Sequence, residues 1–181
     1  NCDWSSDVCS SDLGNLQLLG DGPTLLRSRV ALDLAAAGNL TVGDGISALR
    51  LEAPALHATA GKDLNLQPQV SVSVGNDQPL ELTAGRDLTL SADAVVDSHD
   101  TNLLFSAGRD LTQNAALGGR NQTRSISLNA GRNLVSNAAI ATTSSLKLSA
   151  GGDLFGAPER FRTADGALVD RLGFRAGDDN S

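Results

Sequence analysis

The side chains in this chain of 181 residues that are suited to catalysis are few. His57 and His99 are the only histidines, and the run Asp97-Ser98-His99-Asp100 contains the residue types of a nucleophile, a base and an orienting acid. Catalysis requires such groups to converge in space, and residues that are adjacent on one loop rarely do so. We therefore interpret the run as a surface turn, predict no catalytic residue and do not expect an enzyme.

Metal and cofactor sites are likewise not predicted. Cys2 and Cys9 have no neighbouring histidine, and two thiolates are too few ligands for structural zinc. Gly118-Gly119 does not supply the Gly-Gly-x-Gly-x-Asp pattern of calcium-binding β-rolls. No helical pattern follows Gly43-Asp44-Gly45, so this segment is interpreted as a turn and not as a phosphate loop. The predicted cofactor is none.

Composition narrows the classes of partner and of fold. The 21 acidic and 14 basic residues give a net charge of -7, which disfavours nucleic acid and anionic membrane surfaces. No apolar window of membrane-spanning length occurs, so no membrane-spanning segment is predicted, and any export signal of a parent protein is expected upstream. Apolar residues make up 40% of the chain but aromatic residues only 3%, which favours a thin repetitive core of small aliphatic side chains.

Residues 1–13 differ in composition from everything that follows. They contain both cysteines and the single tryptophan. Asp3 to Leu13 matches, residue for residue, the translation of a common short-read sequencing adapter. We interpret 1–13 as a sequencing artefact, expect no ordered structure from it and exclude it from the fold prediction. Removing its three aspartates from the total of 21 leaves 18 acidic residues against 14 basic ones.

An internal repeat dominates the remainder of the chain. The pattern Ala-Gly-x-Asp/Asn-Leu recurs, and its leucine lies at positions 16, 40, 64, 88, 111, 134 and 154, in steps of 24, 24, 24, 23, 23 and 20. Apolar residues alternate with polar ones on both sides, as in 80–84 and 88–90, and a third apolar stretch such as 70–74 lies midway. Period two indicates strands, and the connections are too short for helical crossovers. We therefore predict an all-β parallel β-solenoid of about six coils with roughly 23 residues per coil.

The turn of each coil is predicted at the repeated glycine and at the acid or amide two residues later. Glycine is expected because such a turn needs positive φ. The Asp or Asn is expected to bond its own turn backbone and its stacked equivalents. The predicted structural turn residues are Gly38, Gly61, Gly85, Gly108, Gly131 and Gly151, with Asp63, Asp87, Asp110, Asn133 and Asp153.

Basic residues follow these glycines at Lys62, Arg86, Arg109 and Arg132. Stacked at about 4.8 Å, they would repel one another, so we expect diagonal pairing with acids of adjacent coils. We interpret this column as a structural ladder. The alternative that stays open is a strip that binds a glycan or a receptor.

The run Ala-Gly-Arg/Lys-Asp/Asn-Leu, with alternating Leu, Thr and Ser and a step near 23, resembles the haemagglutinin repeats of filamentous haemagglutinin-like proteins over residues 14–155. This family includes two-partner secretion exoproteins, adhesins and contact-dependent inhibition effectors. The resemblance implies a right-handed parallel β-helix that forms the shaft of a secreted, cell-surface bacterial protein with a role in cell adhesion or contact-dependent inhibition. It also implies export of the parent protein by an outer-membrane two-partner secretion transporter, and contact with a receptor or glycan on a host or neighbouring cell.

Residues 156–181 lose the repeat and are interpreted as a degenerate coil or the start of another region. Two other classes remain open for the whole chain. A β-helical polysaccharide lyase or hydrolase has the same architecture, but it needs carboxylates grouped at one level of adjacent coils and long loops around a groove. A structural phage or surface-layer solenoid obeys the same physics. Short connections and regular repetition favour the shaft over the enzyme.

Overall fold

The computed structural model describes residues 14–75, 77–118 and 123–156, together with short strands at 2–3, 8–11, 158–162, 168–172 and 174–176. Every regular element in these residues is a strand. Most strands pair in parallel with the equivalent strand of the neighbouring coil. The prediction of an all-β parallel solenoid is therefore confirmed. No helix among these residues is long and apolar enough to cross a membrane.

Three sheets form the sides of the solenoid, and their strands are numbered along the chain. The strands pair in parallel except for one antiparallel pair at the amino-terminal end of sheet 1. Sheet 1 precedes the repeat turn and contains β1 (Cys2–Asp3), β2 (Val8–Ser11), β5 (Ala31–Ala36), β8 (Ala55–Ala60), β11 (Leu80–Ala84), β14 (Thr101–Ala107), β16 (Thr123–Ala130) and β19 (Ser145–Ala150). Sheet 2 follows the turn and contains β3 (Leu16–Leu18), β6 (Leu40–Val42), β9 (Leu64–Leu66), β12 (Leu88–Leu90), β15 (Leu111–Gln113), β17 (Leu134–Ser136) and β20 (Leu154–Gly156).

Sheet 3 completes the third side and is less continuous. Its strands are β4 (Thr24–Arg27), β7 (Leu49–Ala53), β10 (Val70–Val74) and β13 (Val95–Ser98). Beyond β13, single bridges at Leu117 lead to β18 (Ile140–Thr142), which pairs with β23 (Phe174–Ala176). The antiparallel strands β21 (Pro158–Arg162) and β22 (Leu168–Leu172) lie between β20 and β23 in sequence. Coil five thus has a one-residue bridge where the other coils have a strand.

Each coil runs from sheet 3 to sheet 1, through the repeat turn, and on to sheet 2. Six coils follow one another, beginning at β4, β7, β10, β13, Leu117 and β18. The repeated leucines pair in register from coil to coil through Leu16, Leu40, Leu64, Leu88, Leu111, Leu134 and Leu154. The spacing read from the sequence is therefore the coil length of the molecule.

Stacked aliphatic side chains fill the interior. Leu64, Leu88 and Leu111 are completely buried, and the strands of sheet 2 alternate buried and half-buried positions as a strand with one interior face must. Burial of one such leucine contributes about 1.5–3 kcal/mol. Each coil contributes one thin layer to the core, and aliphatic side chains are large enough to fill it. Phe105 is the largest fully buried side chain among the described residues.

The motif glycines form the turns, but the predicted reason for them is wrong. None of the six has a positive φ. Instead, a Cβ atom on Gly85, Gly108 or Gly131 would lie closer than 3.0 Å to the carbonyl oxygen of the motif glycine one coil earlier. Stacking brings these turn backbones so close together that there is no space for a side chain. Glycine is required here by close backbone approach and not by conformational freedom.

The two ends of the chain are only partly described. Near the amino terminus, residues 1, 4–7 and 12–13 lie outside the described residues, while β1 and β2 are strands and β2 pairs in parallel with β5. The interpretation of 1–13 as an artefact stays an interpretation. In 156–181, β23 continues sheet 3 whereas β21 and β22 form a separate antiparallel pair, so both alternatives for this region remain open.

Candidate functional site

The repeat turn carries a continuous series of side-chain to backbone hydrogen bonds, which we call the amide ladder. The Oδ1 atom of each Asp or Asn accepts from the backbone N–H of the equivalent residue in the next coil. Of the two kinds of bond that were predicted, to the residue's own turn and to its stacked equivalents, these bonds are of the second kind. Asp and Asn both present this oxygen, which explains why either is found. The donors are Asn39, Asp63, Asp87, Asp110, Asn133 and Asp153, at N···O distances between 2.9 and 3.3 Å.

The predicted diagonal pairing of charges at the same turns is confirmed, and we call it the charge ladder. Each arginine donates to the aspartate of the preceding coil. At the next step, between coils five and six, Asn133 of coil five replaces the aspartate and Gly152 of coil six occupies the position of the arginine. Charge is thus lost from both members of the pair together. The pairs are Arg86 with Asp63 at 2.7 Å, Arg109 with Asp87 at 3.1 Å and Arg132 with Asp110 at 2.8 Å.

Two of the three pairs in the charge ladder have shifted pKa values. The hydrogen bond from Arg86 lowers the pKa of Asp63 below its ordinary value of 3.8, although partial burial opposes this. Arg132 lowers the pKa of Asp110 in the same way. The pKa values of both arginines are raised by the same bonds. None of these carboxyl groups is therefore poised to donate a proton near neutral pH, and the arrangement favours a structural role.

The run Asp97 to Asp100 is a surface turn only in its second half, because Asp97 and Ser98 belong to strand β13 and the chain bends at 99–100. The run does not assemble a triad among the described side chains. Ser98 points into the solenoid, is 2% exposed, and its hydroxyl lies 2.6 Å from that of Thr123. His99 is exposed on the outside, where its Nδ1 lies 3.7 Å from Asp97 Oδ1. Since alternate strand residues face opposite sides of a sheet, Ser98 and His99 are directed apart. The other histidine, His57, pairs with Asp33 of the preceding coil at 2.8 Å.

Coils four to six carry buried polar side chains where earlier coils carry leucine or valine. Gln113 and Ser136 continue the inward column of Leu66 and Leu90, and the hydroxyl of Ser136 donates to Gln113 Oε1. Thr142 donates to the carbonyl oxygen of Thr123 at 3.1 Å. Every buried side-chain polar atom among the described residues has a partner. This polar stretch coincides with the break in sheet 3 at Leu117.

A depression on the outer face of sheet 3 is the other candidate site, and we call it the trough. Its floor is coil three, where the outward residues Ser71 and Ser73 are small and Gly75 has no side chain. Its walls are the larger outward residues of coils two and four, paired in register with the floor. One wall is formed by Arg50, Glu52 and Pro54, and the other by Val95, Asp97 and His99.

Two adjoining depressions of about 280 and 590 Å³ share Arg50 and Ser73 and meet in the trough. The smaller one extends across coil four to Gly118 and Thr123 of coil five, and the larger one extends to Arg27 and Ser28 of coil one. Glu52 lies between two arginines: Arg27 Nε donates to its Oε2 at 2.6 Å, and Arg50 Nε lies 2.6 Å from its Oε1. This places guanidinium donors and carboxylate acceptors side by side. Two charged arginines stand against two carboxylates, those of Glu52 and Asp97, so the fixed charges of the trough cancel.

Sequence reasoning found the charge ladder and missed the trough. The ladder repeats at a constant spacing and is visible as a motif. The trough depends on size differences between outward residues of coils two, three and four, which become neighbours only through the register of sheet 3. The signal that was available is Val70-Ser71-Val72-Ser73-Val74-Gly75, which alone among the midway strands has only Ser and Gly at its outward positions.

Within the part of the chain that the structure describes, no group of three or more His, Cys, Asp or Glu side chains is placed to hold a metal ion. No family model matches the chain, no curated protein matches it, and no solved structure matches it. The fold and the site geometry are therefore the basis of the functional proposal.

Proposed function

We propose that the chain is a shaft segment of a secreted or surface-exposed bacterial adhesin of the filamentous haemagglutinin-like type, serving cell adhesion or contact-dependent inhibition. In this proposal the coils hold other regions of the parent protein at a distance from the cell. The parent protein would leave the cell through an outer-membrane two-partner secretion transporter and meet a receptor or glycan on a host or neighbouring cell.

The observation that carries the proposal is the in-register stacking of the repeated leucines through all six coils. Each coil contacts chiefly its neighbours, so the architecture lengthens by adding coils without changing the fold. At about 4.8 Å per coil, six coils give a rod about 29 Å long. An invariant column of leucines runs through it. Repetition of this kind supports a spacer more than a single reaction centre.

The two ladders support the same role. In a slender solenoid the turns are exposed to water, and water competes for their backbone hydrogen bonds. The amide ladder joins each turn to the next from β3 to β20. The charge ladder joins coils two to five at the same edge of the rod. Cross-links at each step would resist bending and peeling, which a shaft under load requires.

The alternative is a β-helical polysaccharide lyase or hydrolase, and one observation favours it: the trough brings Glu52, Asp97, His99 and two arginines to one face. Both carboxylate oxygens of Glu52 are engaged, one by Arg27 and the other by Arg50, and a carboxylate held in this way is better placed to bind a ligand than to approach a scissile bond as an acid or a base. We therefore rank the enzyme second.

Long-read sequencing of the source DNA across this locus tests the shaft proposal. We expect the reading frame to continue into further coils on both sides, with a secretion domain upstream and a transporter gene nearby. A frame that closes within a few coils, beside genes for polysaccharide degradation, would refute the shaft. The same experiment decides whether codons 3–13 belong to the gene.

An activity assay addresses the alternative directly. The full chain is incubated with polygalacturonate, alginate and a neutral β-glucan, and new reducing ends and unsaturated products are measured. We expect no product above that of the Glu52→Gln variant. Product formed by the native chain and lost in this variant would support the enzyme instead.

A further inference from the structure

We propose that the trough on sheet 3 binds a short stretch of a neutral oligosaccharide, lying along coil three between the walls of coils two and four. This inference goes beyond the shaft proposal and does not depend on it. A shaft can be a pure spacer, and a chain that is not a shaft can bind a glycan.

The dimensions of the trough suit a chain of pyranose rings. Its walls rise from strands whose backbones are two strand spacings apart, about 10 Å, because β7 and β13 flank β10 on either side. Its floor from residue 71 to residue 75 is about 13 Å long at the rise of an extended strand. The width admits one saccharide chain, and the length admits several linked rings. The larger of the two depressions, at about 590 Å³, lies within the size range of ordinary ligand sites.

The chemistry of the trough matches a ligand that both donates and accepts hydrogen bonds. Sugar hydroxyls do both, and the trough offers donors from Arg50, acceptors from Glu52 and Asp97, and hydroxyls from Ser71 and Ser73. Glu52 is only 18% exposed and is fixed by two arginines, so its geometry is set before a ligand arrives. Pre-fixed polar groups reduce the ordering cost of binding.

The charge pattern favours a neutral ligand over an anionic one. Two arginines and two carboxylates cancel, and the carboxylates of Glu52 and Asp97 stand on opposite walls. An acidic polysaccharide would have to approach both of them within the width of the trough. The net charge of the whole chain, -7, opposes it further.

A peptide is a poorer fit because the floor offers no free strand edge. β10 is paired on one side with β7 and on the other with β13. Its backbone is therefore used within the sheet, and the β-augmentation by which extended peptides bind sheets is not available on this face. Recognition must come from the side chains alone, which is how polyhydroxyl ligands are held.

The test is an NMR titration of the full, uniformly ¹⁵N-labelled chain with maltotriose, cellotriose and triacetylchitotriose as neutral probes and trigalacturonate as the anionic probe. We expect at least one neutral trisaccharide to shift the amides of 71–75 and of both walls, with little change when salt is raised. The variant Ser71→Gln/Ser73→Gln fills the floor and should weaken binding by about tenfold or more. The matched control is Thr89→Gln, an outward position on sheet 2.

Several outcomes would overturn the inference. One is the absence of shifts with all three neutral probes at saturating concentration, and another is shifts confined to residues away from the trough. A third is tighter, salt-sensitive binding of trigalacturonate, which would assign the site to acidic glycans. If the double variant loses its far-UV circular dichroism, the shift map of the native chain and the binding of the Asp97→Asn variant replace it as the test. Asp97→Asn removes one acceptor oxygen at a partly exposed position, so it should weaken binding of the neutral trisaccharide, and unchanged binding would count against the trough.

Discussion

Replacing Gly108 by alanine should destabilise the solenoid through a collision between adjacent coils. The new Cβ atom would lie closer than 3.0 Å to the carbonyl oxygen of Gly85. Relief requires the two turns to separate, but hydrogen bonds hold them together on both sides of the contact. Gly108 N–H donates to Ala84 O at 2.9 Å, and Arg109 N–H donates to Arg86 O at 2.8 Å.

The magnitude follows from the cost of overpacking. Inserting a methyl group where the backbone cannot yield costs about 1–3 kcal/mol. Gly75→Ala is the matched control, because its Cβ would meet only His99 Cβ, at 3.9 Å, and Gly75 has no positive φ. That substitution should leave the free energy of unfolding unchanged or raise it by about 0.4–1 kcal/mol through the unfolded chain.

Urea unfolding followed by far-UV circular dichroism measures both variants, and amide hydrogen exchange locates the weakened coils. Gly108→Asn separates the two explanations for the glycine. Asparagine tolerates a positive φ but adds a larger side chain, so close approach predicts that it destabilises at least as much as alanine. Recovery of stability in Gly108→Asn relative to Gly108→Ala would refute the close-approach explanation.

Three further outcomes are expected. Leu111→Ala should lower the free energy of unfolding by about 2–5 kcal/mol in urea titrations, because Leu111 is completely buried in the leucine column; a loss under 1 kcal/mol would contradict the continuous core. Because the pKa values of Asp63 and Asp110 are lower in the folded state than 3.8, their contribution to stability is present above that pH and disappears as the pH falls through the folded-state values. Thermal midpoints measured from pH 6 to pH 2 should therefore fall less steeply in Asp63→Asn/Asp110→Asn, and an unchanged profile would count against the ladder. Thr123→Val should cost about 1–3 kcal/mol because it leaves the buried Ser98 hydroxyl without this partner, and adding Ser98→Ala should restore part of that loss; strict additivity in the double-mutant cycle would exclude the coupling.

The fold was predictable from the sequence because the solenoid repeats its physical constraints. Leu64, Leu88 and Leu111 are spaced by one coil, alternation on both sides indicates strands, and short connections leave stacking as the way to pair them. The register then follows, since a slip by one residue would turn the leucines outward. What spacing did not predict is the break of sheet 3 at Leu117, where the midway apolar stretch shrinks to a single bridge.

The candidate site was predictable only where it repeats. Stacking places arginines of neighbouring coils close together, so each was expected to pair with an acid of an adjacent coil. The hydrogen bond from Arg86 to Asp63 confirms this. The reason for Gly108 was wrong, because a turn glycine is ordinarily explained by φ, whereas the collision with Gly85 exists only between coils. The trough could not be predicted for the same reason. Ser73 forms its floor only because the register of sheet 3 places the larger side chains of Glu52 and Asp97 on either side of it.

The amide ladder makes the two ends of the rod chemically different. At each step the side-chain acceptor belongs to the earlier coil and the backbone donor to the later one, as when Asp63 Oδ1 receives the N–H of Asp87. A chain synthesised from its amino terminus therefore offers each newly made turn an acceptor that is already in place. The finished coil acts as a template for the unfinished one, and assembly by successive addition needs no search for register.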